Sequence, residues 1–392
     1  MKKSKLIGLA LCLIIAAASC KRGNSITITN GHEYLKINYS GDIRFNDDET
    51  SIQSITPDGY LEFKKNHIKL LAESNFHGEV SYEIYDDGKK LDPLSNNGKR
   101  FIAEAIKEMI ANGLDAKGRL ERLYKNGGSQ AVFDEVSNIK SDYVKSMYIE
   151  YLLSRNVLSE LELVETTKKI CSEIGADFEK TRLLKRFSAI YLEDSLTSNA
   201  WMESVACIGA DFEKANLLKS ILQHPLNDEQ FDQVIYSTRL LKADFEKANL
   251  LKQLIHNRTF DLESFDKILE EINSIGFNFD RANLLKQLVE TGIPDGQRFD
   301  KLLDAVGHLG DDMDKATMLT YLTKKNIRSE EQWISLINAT SKISSDMDKT
   351  NLLVQIARKM PQSENVKNSF LDIANTISSD MDYRRAVKGV EN

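Results

Sequence analysis

Proline is scarce, with 5 in 392 residues, and aromatic residues make up only 8%. Both shortages argue against an all-β chain and leave helices free to run uninterrupted. No cluster of Lys and Arg occurs, and the net charge is −7. A phosphate backbone demands clustered cations, so nucleic acid is excluded as a partner. There is no Gly-rich phosphate loop, no nucleophile elbow and no redox Cys pair. The histidines (His32, His67, His77, His224, His256, His308) stand apart, none with a partner at ligand spacing, and read as structural. "NDDET" (46–50) is acidic but lacks the Asp-x-Asp-x-Asp-Gly pattern of a calcium loop, and reads as a turn. Carboxylates on the helices come with Lys neighbours, as on solvated faces. The expectation is a protein with no catalytic residues, no metal and no cofactor.

Long apolar runs are also missing. The longest, "LIGLALCLIIAAAS", comes after the basic "MKKSK" and is too short to span a bilayer as a mature helix. It ends in the small residues Ala17, Ala18 and Ser19 before Cys20. This stretch resembles the lipobox of bacterial lipoproteins. The resemblance implies a signal peptide over 1–19, cleavage before Cys20 and lipidation of that cysteine. Several acyl chains on one residue anchor far better than one, because each buried methylene adds about 0.8 kcal/mol. Lys21 comes next, where an Asp would resemble an inner-membrane retention signal, and this points to the outer membrane, facing the periplasm. Of four cysteines, Cys12 leaves with the signal and Cys20 carries lipid. Cys171 and Cys207 sit at different registers of successive repeats, so two half-buried thiols are expected, although an oxidising compartment permits a bridge.

Residues 20–97 read as a small antiparallel β domain of five or six strands. "SITIT", "YLKINYSGDIRF", "GYLEFKK", "HIKLLAES" and "EVSYEIY" are β-branched or aromatic runs. The "NG", "PDG" and "DDG" between them are turn signals, since Gly accepts positive φ and Asn and Asp tolerate it. So small a sheet must pack on the helical part of the chain. Pro93 and Gly98 are read as breakers leading into that helical part, 98–392, where Gly127 and Gly128 predict a turn within a helix pair.

There the chain repeats. "DFEKANLLK" occurs at 211–219 and again at 244–252. Aligned on Asp142, Asp177, Asp211, Asp244, Asn278, Asp312, Asp346 and Asp380, eight units succeed one another at spacings of 35, 34, 33, 34, 34, 34 and 34. A period in this range with two helical segments per unit predicts an α-solenoid of helix-turn-helix repeats, ending in a capping helix. The aspartate, or the Ser or Ala before it, is expected to cap each first helix. The next residue is large (Tyr143, Phe178, Phe212, Phe245, Phe279, Met313, Met347, Met381) and is followed by a small one such as Ala215 or Ala248. That pair reads as a knob beside a gap in the core. The Leu pairs 217/218, 250/251, 284/285 and 352/353 complete the stripe, and Phe265, Phe299 and Trp333 form a core column in the second helix.

One polar ladder is singled out as a candidate ligand-binding surface. Lys214, Lys247, Arg281, Lys315 and Lys349 stand three places after the aspartate, and Asn216, Asn249, Asn283 and Asn351 two further on. A column of Asn offers donor and acceptor to an extended peptide backbone, and a Lys column can meet its carboxylates. The same residues also read as internal ties, Lys to Asp and Asn between helices.

The 34-residue unit resembles a tetratricopeptide repeat in architecture, but lacks that family's Trp, Gly and Tyr positions. "IRFNDDETSIQSITPDGYLEF" (43–63), with "SDYVKSMYI" and "SSDMDK", is similar to an uncharacterised family of bacterial extracytoplasmic proteins. Some of its members resemble sensor regions of β-lactam-signalling-type membrane peptidases. The His-Glu-x-x-His motif of those peptidases is absent. The resemblance implies a sensing or scaffolding module. The expected function is therefore a lipid-anchored envelope scaffold that binds a protein or peptide, touching the membrane through its lipid alone. The alternative is the ligand-sensing module of an envelope stress or antibiotic response. A cell-wall hydrolase ranks third, because no convergent acid pair is evident.

Overall fold

The computed structural model of the chain describes residues 23–30, 33–155, 157–257 and 261–390. The expected signal segment and Cys20 lie outside the described residues. The fold is mainly helical, with an antiparallel sheet in its N-terminal part. Among the described residues, no helix is long and apolar enough to cross a membrane. The chain divides into two compact units. One holds the described residues up to Leu158 together with Ser172–Gly175, and the other holds Ser159–Cys171 and the chain from Ala176 onward.

In the first unit the β-branched and aromatic runs become β1 (Asn24–Asn30), β2 (Glu33–Ser40), β3 (Ile43–Phe45), β4 (Ile52–Ile55), β5 (Tyr60–Lys65), β6 (Ile68–Ser74), β7 (Val80–Asp86) and β8 (Lys89–Leu91). Six strands form one antiparallel sheet in the order β1-β2-β5-β6-β7-β8, while β3 and β4 pair separately. Asp87 (φ 49°) and Gly88 (φ 80°) make the tight β7–β8 turn that matches strand twist. Alternation along the strands buries Ile37, Leu61, Phe63, Leu70 and Ile84. These share one core with Phe45 and Ile52 of the β3–β4 pair and with Ile102, Ile106 and Met109 of α1 (Asn96–Ala111). A sheet this small cannot bury a face unaided, which is why the helix belongs to its core.

Gly98, expected as a breaker, lies inside the first turn of α1. Ser95 Oγ caps that helix by accepting from the Gly98 amide at 3.0 Å. A Cβ at position 98 would come 2.2 Å from the Asp92 carbonyl oxygen, so the glycine permits a close approach rather than ending a helix. α2 (Ala116–Val136) breaks at Gly128, φ 64°, where the paired glycines predict a turn. α3 (Asp142–Ser154) packs against α2. Arg119 of α2 is buried and bonds both Glu49, in the β3–β4 connection, and Glu135, at 2.5 Å.

The remaining helices are α4 (Glu160–Glu173), α5 (Asp177–Arg186), α6 (Ser188–Tyr191), α7 (Ser195–Ser204), α8 (Asp211–Ile221), α9 (Asp228–Ser237), α10 (Asp244–Asn257), α11 (Leu262–Asn273), α12 (Asn278–Glu290), α13 (Gln297–Gly307), α14 (Asp312–Thr323), α15 (Glu330–Ala339), α16 (Asp346–Ala357), α17 (Glu364–Ala374) and α18 (Asp380–Val387). Tight 3-10 turns extend α7, α9 and α15: Val205–Cys207, Thr238–Leu240 and Thr340–Lys342. Each aligned Asp or Asn is the first residue of a helix. Within the second unit these leading helices pack one on the next, through α5, α8, α10, α12, α14, α16 and α18. The second helices of the hairpins do the same through α7, α9, α11, α13, α15 and α17. Pro225, Pro294 and Pro361 lie just after α8, α12 and α16, where the backbone has already left the helix. The four Leu pairs are buried, as are Phe265, Phe299 and Trp333.

Two further expectations fail. The large residues next to each aspartate, expected as core knobs, are exposed, from 59% at Met347 to 77% at Met381. Helical geometry explains this. In α8 the buried side chains are Lys214, Ala215, Leu217, Leu218 and Ile221 among others. At about 100° per residue, Phe212 points roughly 150° away from the centre of that arc. Second, Cys171 and Cys207 are joined in a disulfide, with Cα atoms 5.5 Å apart. Their separation of 36 residues spoke against alignment. Cys171 lies in α4 and Cys207 at the end of the 3-10 turn after α7, and the fold brings these two positions together despite their different registers.

Candidate interaction surface

The aspartate column does not cap its own helices. From Asp142 to Asp346 the carboxylates reach the backbone of the loop leading into the next repeat. Asp177 Oδ2 accepts from the amides of Gly209 and Ala210 (2.9 and 2.8 Å). Asp211 does the same for Lys242 and Ala243 (both 2.7 Å), and Asp312 for Ser344 and Ser345 (both 2.8 Å). In the first unit Asp142 accepts from Gly175 at 3.1 Å. Where Asn278 replaces the acid, its Oδ1 accepts from Gly310 at 3.0 Å. Capping falls instead to residues such as Ser345 and Ser379, which accept from the amides of Asp348 and Asp382.

The basic column turns inward. Lys214 Nζ donates to the Leu240 carbonyl (3.1 Å), Arg281 Nη2 to the His308 carbonyl (3.0 Å) and Lys315 Nζ to the Lys342 carbonyl (3.1 Å). Lys247 Nζ reaches Ser274 Oγ (3.1 Å) and Lys349 Nζ reaches Thr376 Oγ1 (3.0 Å). Every acceptor lies at the C-terminal end of the second helix of the same hairpin, where orphan carbonyls gather negative charge. Lys214 is only 7% exposed. Lys315 also pairs with Asp312 at 3.0 Å, and Lys214 with Asp211 at 3.6 Å. In α8 and α14, for example, one acid and one base thus tie the leading helix both to its own hairpin and to the next loop. A sequence pattern of Asp and Lys three apart signals the pair, but not that both reach across the loop.

Burial alone would push the Asp177, Asp211 and Asp312 carboxyls up. The loop amides and the neighbouring ammonium outweigh it and hold all three below the usual carboxylate range. Their contribution to stability is therefore complete above the unfolded value, about pH 3.9, and is lost as pH falls through the lower folded values. Asp211→Asn, copying the Asn278 arrangement, keeps an acceptor and is expected to cost under about 1 kcal/mol at pH 7. Asp211→Ala strands two amides and the buried Lys214, and is expected to cost about 1–2 kcal/mol. Urea midpoints at neutral pH measure both, and equal losses for the two variants would rule out the acceptor role.

The asparagines face the other way. Five residues into the helix, they share the outer face with the large residue one turn earlier. Asn216 and Asn249 are half-buried, whereas Asn283 and Asn351 are exposed. Asn351 Oδ1 accepts from Arg385. Across α12, α14 and α16, Phe279, Asn283, Met313, Thr317, Tyr321 and Asn351 line a groove of about 610 Å³. The candidate surface is thus the asparagine column joined by the exposed Phe and Met column, without the basic residues. The aromatic and methionine half of it was missed in the sequence, although helical phase was a usable signal.

Among the described residues, no group of three or more His, Cys, Asp and Glu is placed to hold a metal ion. "NDDET" forms a turn, with Asp48 Oδ1 accepting from the Thr50 amide and hydroxyl (3.0 and 2.7 Å). His224 is not isolated, since its Nε2 lies 2.9 Å from Ser188 Oγ. That serine is buried and also donates to the Lys185 carbonyl at 3.0 Å, so the contact ties α5 and α6 to the residues after α8.

No protein-family model and no curated protein matches the chain. A solved chain from "Computational Design of Self-Assembling Cyclic Protein Homooligomers" aligns at 14% identity over 73% of this chain and 95% of its own, with a TM-score of 0.14. A superposition that poor carries no argument about fold or function.

Proposed function

We propose that the chain is a non-catalytic, lipid-anchored scaffold of the bacterial cell envelope, its hairpins stacked as a solenoid that binds a protein or peptide. The observation that carries this reading is the exposed column of Phe178, Phe212, Phe245, Phe279, Met313, Met347 and Met381, one large apolar side chain per repeat. Single exposed hydrophobics are ordinary, but a register kept through successive repeats is a surface. Methionine and phenylalanine adapt to varied apolar partners, and the asparagines one turn on can satisfy a partner's backbone. The Cys171–Cys207 bridge suits an oxidising compartment, in keeping with the lipobox-like start and an outer-membrane location facing the periplasm.

A photo-cross-linking residue at Met313, introduced in whole cells, is expected to form adducts with discrete envelope proteins or peptides. Phe279→Glu in the same chain should reduce that yield about tenfold while leaving the unfolding midpoint nearly unchanged, as expected for a hot-spot contact at an exposed site. Adducts that persist at full yield in the Phe279→Glu chain would defeat the proposal. Capture confined to a membrane sensor peptidase would turn it toward the ligand-sensing alternative.

A further inference from the structure

A second groove lies among the second helices of the hairpins, away from the asparagine face. It runs between α7, α9 and α11, encloses about 1080 Å³ and is half open to solvent. That exceeds the roughly 300–1,000 Å³ of an ordinary small-molecule site. Ala206, exposed, and Leu240, half-buried, supply apolar surface above the buried Met202 and Ile235, and the Tyr236 ring stands 66% exposed at its wall.

Its charge is one-sided. Five carboxylates (Glu203, Glu229, Asp232, Glu270, Glu271) face two cations, Arg239 and Lys267, a difference of three negative charges. Both cations are already committed. Arg239 bonds Glu271 (2.5 Å) and Glu270 (3.0 Å), while Lys267 bonds Asp232 (2.6 Å) and, outside the groove lining, Glu263 (2.8 Å). Glu271 is 3% exposed and also accepts from Thr238 Oγ1 at 3.1 Å, so this network is fixed in place. Glu203 and Glu229 are exposed and have no ion-pair partner among the described residues. A concave wall of one sign concentrates counter-charge, and an apolar floor beneath it rewards side chains that a hydrated small ion lacks.

We propose that this groove docks a cationic peptide segment in which Lys or Arg alternates with apolar residues. The apolar side chains cover Ala206 and Leu240, and the cations meet the exposed Glu203 and Glu229. Tyr236, 66% exposed, already carries the Arg239 guanidinium over its ring at 5.1 Å, so it adds apolar surface at the wall rather than a second cation site. The site is independent of the asparagine face, and each can fail without the other.

The test uses the full mature chain and two fluorescent hexapeptides, one of alternating Lys and Leu, the other with Glu in place of Lys. Anisotropy should show binding of the Lys peptide, weakening as salt rises from about 50 to 300 mM. The Glu203→Gln/Glu229→Gln double variant should bind it about tenfold more weakly. Both positions are exposed, so an unchanged unfolding midpoint separates lost binding from lost structure. Phe279→Glu, on the other face, should leave this binding intact. Equal binding of the Glu peptide, or no effect of the double variant, overturns the proposal. So does concentration-dependent self-association that the double variant abolishes, because the groove would then belong to a second copy of the chain.

Discussion

Replacing Arg119 with methionine is expected to destabilise the first unit by about 3–5 kcal/mol. Arg119 is 8% exposed, and its guanidinium bonds two carboxylates that come from different parts of the chain. Glu49 sits at φ 54° in the connection from β3 to β4, and Glu135 lies near the end of α2, beyond the break at Gly128. One cation therefore fixes the hairpin to both halves of a broken helix. Burial alone disfavours its charge, yet the two carboxylates more than compensate and raise its pKa above the ordinary value. Methionine fills a similar volume but leaves two partly buried carboxylates without their shared counter-charge. Tyr148 cannot substitute: it is buried beside the arginine, and burial pushes its phenol up to about 12. Adding Glu49→Gln and Glu135→Gln to the methionine variant should recover most of the loss, since the penalty is a stranded charge rather than a missing contact. Hydrogen exchange of the Leu61 and Phe63 amides reports this unit separately from the second. A methionine variant as stable as the parent, or a triple variant no better than the single, would refute the account.

How far the sequence reveals this molecule depends on the kind of interaction. Local signals carry well. The Asp87-Gly88 turn, the helix starts at the aligned aspartates and the buried Leu pairs all follow from dihedral preference or periodicity. Periodicity identifies which residues recur, but not by itself which way they face. Phe212 and Leu217 recur equally, and only the angle between them on the helix separates surface from core. The same angle parts Lys214 from Asn216, so the proposed ladder resolves into an inward cap and an outward face. Contacts between distant segments were out of reach. Nothing in "NDDET" announces that its own Glu49 is a partner of Arg119, 70 residues on. The aspartates gave a signal read too locally: an acid at a helix start is expected to cap it, but here the serine or alanine precedes it and the carboxylate is free to reach the next loop.

Breaking the Cys171–Cys207 bridge is expected to cost the second unit about 4 kcal/mol, and to lower its melting temperature by roughly 10 °C. The estimate rests on the sequence separation of 36, because a cross-link restricts the unfolded chain in proportion to the logarithm of the loop it closes. The loop contains α5, α6 and α7, with the buried Leu184, Tyr191 and Trp201, and the Trp201 indole donates to the Leu184 carbonyl at 2.9 Å. Trp201 is thus a fluorescent reporter placed inside the segment that the bond restrains. Both cysteines are only half-buried, so Cys171→Ser/Cys207→Ser introduces hydroxyls without a large desolvation penalty. If loop entropy is the source of the stability, the double serine variant and the reduced parent should melt together, both below the oxidised parent, with a native Trp201 emission spectrum in all three at low temperature. If packing around the sulfurs were the source, the reduced parent would retain its melting temperature while the serine variant fell. Two titratable thiols in the unreduced protein would show that no bridge forms, and would restore the pair of thiols that the repeat spacing led us to expect.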